Sequence, residues 1–288
     1  MITDNKGWLL LTGGNGFLGT GFIASLDEET RRRCVCLVRK STPEFAATVG
    51  VVVEGFFGDA AALRKLDGYR FSAVVHLAAV TGGCSEDDAM AVNVKGTRVL
   101  MRYLIDRGCP RFVLASSIAL VGVQRTDFRP LALPMTEAHP CLDRDGYGFS
   151  KFLMEEVARY HQRQNEGITV FCLRFGVIRP DDATDEPFVP SSPPPAWTYA
   201  HFTKVLRRDA IKAVRLALDK PSEGGFCAVN IVAKQSSLGV TVRQLVATWA
   251  PEWAPDLSSY EGPEHERDSV FSTKLAQQEL GFSADWIG

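Results

Sequence analysis

From Trp8 to Leu26 the chain reads WLLLTGGNGFLGTGFIASL. Trp8 to Thr12 is a short apolar run stopped by glycine, and Gly16 to Leu26 then carries helical spacing. That is the pattern of a buried strand turning directly into a helix. Gly13, Gly16 and Gly19 fall at the turn. Such a turn needs a residue free to take positive φ, a backbone that a pyrophosphate can approach, and a helix packed tightly on the strand. The helix N-terminus then offers amide donors and partial positive charge to phosphates. Taken alone, the glycines would also suit an ordinary turn. The strand before them and the helix after them supply the context that a dinucleotide site requires.

Outward from this point, short apolar runs recur at Cys34 to Val38, Val49 to Val53, Ala73 to Leu77, Phe112 to Ala115, Ile168 to Arg174 and Phe226 to Val232. Each is rich in Val, Ile, Leu or Phe, as expected of parallel strands covered on both faces. Helical stretches alternate with them, notably Glu86 to Arg107, Tyr147 to Gln164 and Lys204 to Leu218. The expected fold class is α/β, a doubly wound parallel sheet of Rossmann type with a small C-terminal substrate-binding lobe. Residues 1–175 are expected to bind the dinucleotide, with 204–233 returning to that domain. Residues 176–203 and 234–288 would form the lobe. Between them, PDDATDEPFVPSSPPP (Pro180 to Pro195) is too dense in proline for a helix or central strand, and reads as a solvated linker or a loop over the substrate pocket.

Composition sets the bounds. The 288 residues are 45% hydrophobic and 23% charged, within the globular range. A net charge of −2 gives no basic field for nucleic acid or an acidic membrane surface. No apolar run is long enough for a secretory signal or a membrane span, which points to a cytoplasmic protein. Seven cysteines, without zinc-ligand spacing, read as reduced thiols, and no metal is expected.

Three further features carry chemistry. The second strand ends in Leu37-Val38-Arg39-Lys40. An acidic residue at this place grips the ribose 2′-hydroxyl of NAD, whereas Arg39 can hold a 2′-phosphate by charge-assisted hydrogen bonds. NADP is therefore favoured over NAD, although a solvated basic turn would look the same. YGFSK, Tyr147 to Lys151, puts tyrosine and lysine on one helix face. An ammonium that lowered the phenol by about 3 units from its usual value near 10 would contribute about 4 kcal/mol to making it a usable base. Ser116 and Ser117 close the fifth strand, where hydroxyls of a parallel sheet face the ligand crevice. Ser117 is placed to bind a substrate oxygen beside Tyr147.

In this order the motifs resemble those of extended short-chain dehydrogenases/reductases of the NAD-dependent epimerase/dehydratase family, closely over the first 180 residues and loosely beyond. TGGNGFLG, Gly58-Asp59, VVHLAA (Val74 to Ala79) and NVKGT (Asn93 to Thr97) carry the likeness together with YGFSK. The resemblance implies that Gly13, Asn15, Gly16, Phe17, Leu18, Gly19, Arg39, Asp59, Ala60, Leu77, Ala78, Ala79 and Asn93 line the cofactor with Tyr147 and Lys151. It implies Ser117, Tyr147 and Lys151 as catalytic residues, and Thr81, Ser117 and Tyr147 as substrate contacts. Ser117 rather than Ser116 stands at the family's spacing from Gly122, and Asp209 at its usual late aspartate. His76 reads as structural. A homodimer through the helices at Glu86 to Arg107 and Tyr147 to Gln164 is also implied.

The departures are informative. Dehydratases of the family carry an acidic pair where this chain has Ile118 and Ala119, which cannot transfer protons. Val121 replaces the usual tyrosine. Arg174 is kept, but Val177 replaces the asparagine that helps seat a nucleotide diphosphate. Asp181, Asp182, Asp185 and Glu186 nearby would repel phosphate, with Arg179, Lys204, Arg207 and Arg208 available to compensate. The expected function is therefore hydride transfer to or from a small carbonyl, polyol or sugar acid. Nucleotide-sugar 4-epimerisation is the alternative, and a non-catalytic dinucleotide sensor, for which the serine, tyrosine and lysine would be idle, is a second.

Overall fold

The structure, a computed structural model, describes residues 7–190, 197–253 and 255–285. Its strands are β1 (Trp8–Thr12), β2 (Cys34–Val38), β3 (Val51–Glu54), β4 (Phe71–His76), β5 (Arg111–Ser117), β6 (Thr169–Phe175), β7 (Val177–Arg179), β8 (Lys204–Leu206) and β9 (Gly225–Ile231). The α-helices are α1 (Phe17–Ser25), α2 (Glu28–Arg32), α3 (Pro43–Ala46), α4 (Ala60–Arg64), α5 (Glu86–Asp88), α6 (Thr97–Ile105), α7 (Gly146–Gln164), α8 (Arg207–Asp219), α9 (Val242–Trp249) and α10 (Lys274–Leu280). Seven strands make one sheet in the order β3-β2-β1-β4-β5-β6-β9, and every neighbouring pair is parallel. The order reverses between β1 and β4, and ligands of such sheets bind in the crevice beyond the strand ends at this switch point.

Strands β2 and β6 are buried at every residue, which is why they lack alternation. The two faces of β1 separate the core. Leu9 and Leu11 pack with Phe22 of α1, Val214 of α8 and Leu280 and Phe282 at the end of the chain. Leu10 packs on the other face with Leu100 and Leu104 of α6 and Met154 and Ala158 of α7. A third cluster lies beyond the strand ends, joining Ile118, Val123, Trp197, Phe202, Leu245 and Phe271. Helix α9 belongs to that third cluster, whereas α10 joins the first and so returns to the sheet.

Two expectations need correction. Helical spacing at Lys204 to Leu218 hides a strand: Lys204–Leu206 pairs in parallel with Val177–Arg179, and the helix starts only at Arg207. The Asp181 carboxylate accepts from the Arg208 amide at 2.7 Å, so the helix start is set by a loop far away in sequence. The stretch Glu86 to Arg107 is not one α-helix either. Ala89–Gly96 between α5 and α6 is wound as a π-helix, which a 3.6-residue spacing does not reveal. The proline-rich stretch lies partly outside the described residues. Its first part has no helix, and Phe188 forms an isolated bridge with Leu238. The seven cysteines are all free, and no helix among the described residues is long and apolar enough to cross a membrane.

His76 clamps this frame. Its Nδ1 lies 2.6 Å from Thr12 Oγ1 and its Nε2 3.0 Å from Thr97 Oγ1, so β1, β4 and α6 meet on one buried ring. Burial, with the positive Lys151 as a lesser cause, pushes His76 down to about 3 from its ordinary 6.5. The unfolded chain thus binds a proton between these values that the folded chain does not, so stability falls as pH drops through that window. The expected loss is up to about 1.4 kcal/mol per pH unit, and His76→Gln should lack it. Urea unfolding of both chains at pH 7 and pH 5 measures the difference; equal pH slopes would mean that His76 already takes up a proton in the fold.

Candidate active site

The cofactor side is built on close backbone approach. Gly13 sits at φ +70°, and a Cβ there would lie 2.7 Å from the Ala78 nitrogen. A Cβ at Gly19 would lie 2.2 Å from the Gly13 carbonyl oxygen, so α1 can pack on the turn only without a side chain. Gly16 caps α1 in extended backbone and supplies no side-chain cap, which leaves the helix amides to other acceptors. The Leu77 amide donates to Thr12 carbonyl oxygen at 3.2 Å and the Ala78 amide to Thr12 Oγ1 at 3.3 Å. Leu77, Ala78 and Ala79 therefore leave β4 directly beside the glycine turn. The turn therefore presents backbone rather than side chains to anything that approaches it.

The other expected cofactor residues divide. Asn15 Nδ2 donates to the Lys40 carbonyl at 3.0 Å, tying the glycine turn to the exposed corner that carries Arg39. Glu54, paired in register with Val38, accepts from the Ser41 amide at 2.7 Å at the same corner. Asp59 caps α4 by accepting from the Ala61 amide at 3.1 Å, and Ala60 is exposed at the helix start. Phe17 is half-exposed under the Arg207 guanidinium, 4.8 Å from its ring centre. Leu18 instead packs against the core.

On the catalytic side β5 delivers Ser117 to the strand end, where its Oγ accepts from the Ala119 amide at 3.1 Å. Helix α7 begins opposite. Asp145 accepts from the Tyr147 amide at 2.7 Å, and Asp143 accepts from the Phe149 amide at 3.2 Å. One turn on, buried Lys151 donates from Nζ to the Ala115 carbonyl at 2.7 Å, with Nζ 5.8 Å from the centre of the Tyr147 ring. Ser117, Tyr147 and Lys151 are thus brought together by β5 and α7.

The ionisation of the pair differs from expectation. Burial raises Tyr147 above its ordinary value, and a hydrogen bond with Ser117 pulls it partly back. Burial lowers Lys151 to about 8. The expected lowering of the phenol by the ammonium is absent because Lys151 points to the Ala115 carbonyl and desolvation dominates. Cys84, in the loop that carries exposed Thr81, lies near enough to raise Tyr147 further. Sequence reading missed Cys84, since nothing in its spacing marks it.

Asn93, in the π-helical stretch, is 1% exposed. Its Oδ1 accepts from the Val80 amide at 3.0 Å, and its Nδ2 donates to the Val80 carbonyl at 3.0 Å and to Ser150 Oγ at 2.9 Å. Ser150 in turn donates to the Tyr147 carbonyl at 2.7 Å. Both amide donors are spent, so Asn93 serves the site by holding the loop after β4 against the helix of Tyr147. Beneath it, a buried ion pair joins Arg174 of β6 to Glu155 of α7, with Nη2 to Oε2 at 2.8 Å. The carboxylate also accepts from Ser116 Oγ at 2.5 Å, and Arg174 Nη1 donates to the Glu137 carbonyl at 2.9 Å. Glu155 was not foreseen; a carboxylate four residues beyond Lys151, on the same helix face, was the available signal.

Val177 lies on β7 with its side chain 39% exposed. A cleft of about 520 Å³ beside it is lined by Arg179, Phe188, His201 and Lys204. Repulsion of phosphate by the nearby acids needs correction. Asp185 is held by Arg179 at 2.7 and 2.8 Å and by Lys204 at 3.1 Å, while Asp181 is occupied at the start of α8. Two of the four acids are therefore already compensated.

A parallel sheet with a glycine turn at its switch point, and serine, tyrosine and lysine at the adjoining strand end, is the doubly wound, Rossmann-like arrangement that the sequence predicts. Residues 9–180 match the profile of the NAD dependent epimerase/dehydratase family. The chain belongs to this family. Its sequence is 27% identical over 183 residues to UDP-glucose 4-epimerase 4 of Oryza sativa subsp. japonica, covering 58% of this chain and 48% of that protein. It is 26% identical over 185 residues to UDP-glucose 4-epimerase of Erwinia amylovora, covering 58% and 52%. The chain thus spans about half the length of the curated relatives it matches. In fold it is similar to a short-chain dehydrogenase/reductase superfamily protein of Agrobacterium tumefaciens with bound NAD (TM-score 0.70, 24% identity, 97% of this chain and 93% of that one). UDP-glucose 4-epimerase of Bifidobacterium longum, in complex with NAD+ and UDP, is similar as well (TM-score 0.68, 18% identity, 97% and 94%).

Proposed function

We propose that the chain moves a hydride between a nicotinamide dinucleotide and one carbon of a small carbonyl, polyol or sugar-acid substrate. The observation that carries this reading is the convergence of Ser117, Tyr147 and Lys151 at the end of β5, next to the glycine crevice. Residues 1–175 with 204–233 hold the cofactor. Residues 176–203 and 234–288, apart from α10, form the lobe over it. When bound, the nicotinamide supplies the hydride donor or acceptor.

The chain's own residues handle the proton. With its ionisation raised by burial, Tyr147 is a phenol at neutral pH and donates to a substrate carbonyl oxygen on reduction. In the oxidative direction the phenolate form takes the proton back. Ser117 already accepts from Ala119, so its hydroxyl proton is available to Tyr147 or to the substrate oxygen. Lys151, near 8, is mostly cationic at pH 7 and is held at the Ala115 carbonyl, one turn along the helix from Tyr147. Ile118 and Ala119 are buried and offer no acid or base, which supports hydride transfer without dehydration. Tyr147→Phe is expected to lower turnover by about 100-fold or more with cofactor still bound, and Lys151→Met to damage both. Steady-state kinetics with a fluorescence titration of cofactor checks this, and a Tyr147→Phe enzyme with parental turnover would remove the mechanism.

NADP is the proposed preference, on the strength of Arg39 at the end of β2. Asn15 fixes this corner through Lys40, so the side chain leaves a defined backbone. Arg39→Asp should weaken NADPH far more than NADH, as repulsion replaces a charge-assisted contact. Equal losses in a fluorescence titration would show Arg39 to be a surface residue only.

Nucleotide-sugar 4-epimerisation is the second reading, and the curated relatives, UDP-glucose 4-epimerases by name, favour it. Against it stands Val177, which has no donor for a diphosphate. Calorimetry with UDP, GDP and dTDP decides: no binding is expected, and a dissociation constant of about 10 μM or tighter, near −7 kcal/mol, would promote epimerisation.

The active form is proposed to be a cytoplasmic homodimer. Phe149 and Tyr160 of α7 are 40% and 48% exposed, with Phe152 and Leu153 half-buried between them. Pairing of α6 and α7 with their copies would cover this face. Light scattering at micromolar concentration should give twice the chain mass; the mass of one chain would exclude it.

A further inference from the structure

Glu155 and Arg174 touch neither the glycine crevice nor the hydroxyl of Tyr147, yet they form the most buried ion pair among the described residues, with side chains 2% and 6% exposed. Burying two charges costs several kcal/mol per ion, and an apolar pair of similar volume often serves stability as well. The contacts of this pair indicate what else it does. Oε1 of Glu155 accepts from Ser116 Oγ at 2.5 Å and from Arg174 Nε at 3.0 Å. Ser116 is the neighbour of Ser117 on β5, and Glu155 lies one turn beyond Lys151 on α7. Arg174 reaches the Glu137 carbonyl at 2.9 Å, and the Glu137 carboxylate accepts from the Asn230 amide of β9 at 3.0 Å.

We propose that Glu155 is a positioning residue for the reaction: through its buried pair with Arg174 it ties the strand end bearing Ser117 to the helix bearing Lys151. This rests on the catalytic reading of Ser117, Tyr147 and Lys151. The alternation of the strand points Ser116 away from the crevice, so a hydrogen bond to Ser116 holds Ser117 without occupying it. The same carboxylate is the negative charge nearest along α7 to the Lys151 ammonium, and it favours the charged form of that lysine. The other titratable groups around Lys151 are His76 on β4, Cys172 on β6 and Tyr147 on α7. His76 is neutral and Cys172 a buried thiol, so Glu155 is the fixed anion of this set.

The test follows Lys151 directly and needs no substrate. In the full chain labelled with 13C at lysine Cε, the Lys151 resonance is identified by its loss in Lys151→Met. Its titration midpoint is expected to fall by about half a unit or more in Glu155→Gln and to return in Glu155→Asp. Glu155→Gln leaves Arg174 buried without a counter-charge, so folding itself is at risk. Glu155→Gln/Arg174→Met removes that strain, and is expected to melt near the parent temperature while keeping the lowered midpoint. A parental midpoint in the stable double variant would overturn the proposal, showing the pair to be packing alone. Tyr147→Phe turnover reports on the catalytic reading separately, so either idea can fail without the other.

Discussion

The approach of the Gly13 turn to Ala78 and to the first turn of α1 is the constraint on which the site depends. Atoms from two other segments stand where side chains would otherwise project at Gly13 and Gly19. This contact fuses the ends of β1 and β4 with the start of α1 at the one place where the strand order reverses. Thr12, the last residue of β1, then spends its hydroxyl on His76 and on the Ala78 amide, and its carbonyl on the Leu77 amide. The crevice floor is therefore rigid backbone, which a phosphate can approach without displacing any side chain.

A second layer of order comes from buried polar groups that are internally satisfied. His76, Asn93 and the Glu155–Arg174 pair each join elements far apart in sequence. In a low-dielectric interior such groups are costly unless every donor and acceptor is met, and once met they hold one geometry against alternatives. Asn93 and the Glu155–Arg174 pair bond α7 directly, so the helix that carries Tyr147 and Lys151 is located by directional bonds as well as by packing. The π-helical winding of Ala89–Gly96 has the same consequence, because it presents Asn93 to both Val80 and Ser150.

Beyond the main sheet, the short β7–β8 pair is reinforced by charge. Asp185 gathers Arg179 and Lys204, and Asp181 starts α8, so the loop after β7 is stitched to β8 and α8 from both sides. Val177 and Phe188 remain as the apolar side of the cleft between them.

The alternation of apolar runs and helical spacing, and the glycines after the first run, determined the doubly wound sheet without reference to any contact. Both are local: strand burial and positive φ depend on a few adjacent residues. Ser117, Tyr147 and Lys151 were legible for the same reason, since a strand end and an i, i+4 spacing can be read in one dimension. The strand at Lys204, the π-helical stretch, the occupation of Asn93, the compensation of Asp185 and the burial of Glu155 against Arg174 were decided by tertiary structure alone. Each depends on a partner brought near by folding: Asp181 for the start of α8, Val80 and Ser150 for Asn93, Ser116 and Arg174 for Glu155. The ionisation of Tyr147 belongs with them. Its spacing from Lys151 suggested a lowered phenol, but the desolvation that raises it exists only once folding brings other elements against the half-buried ring.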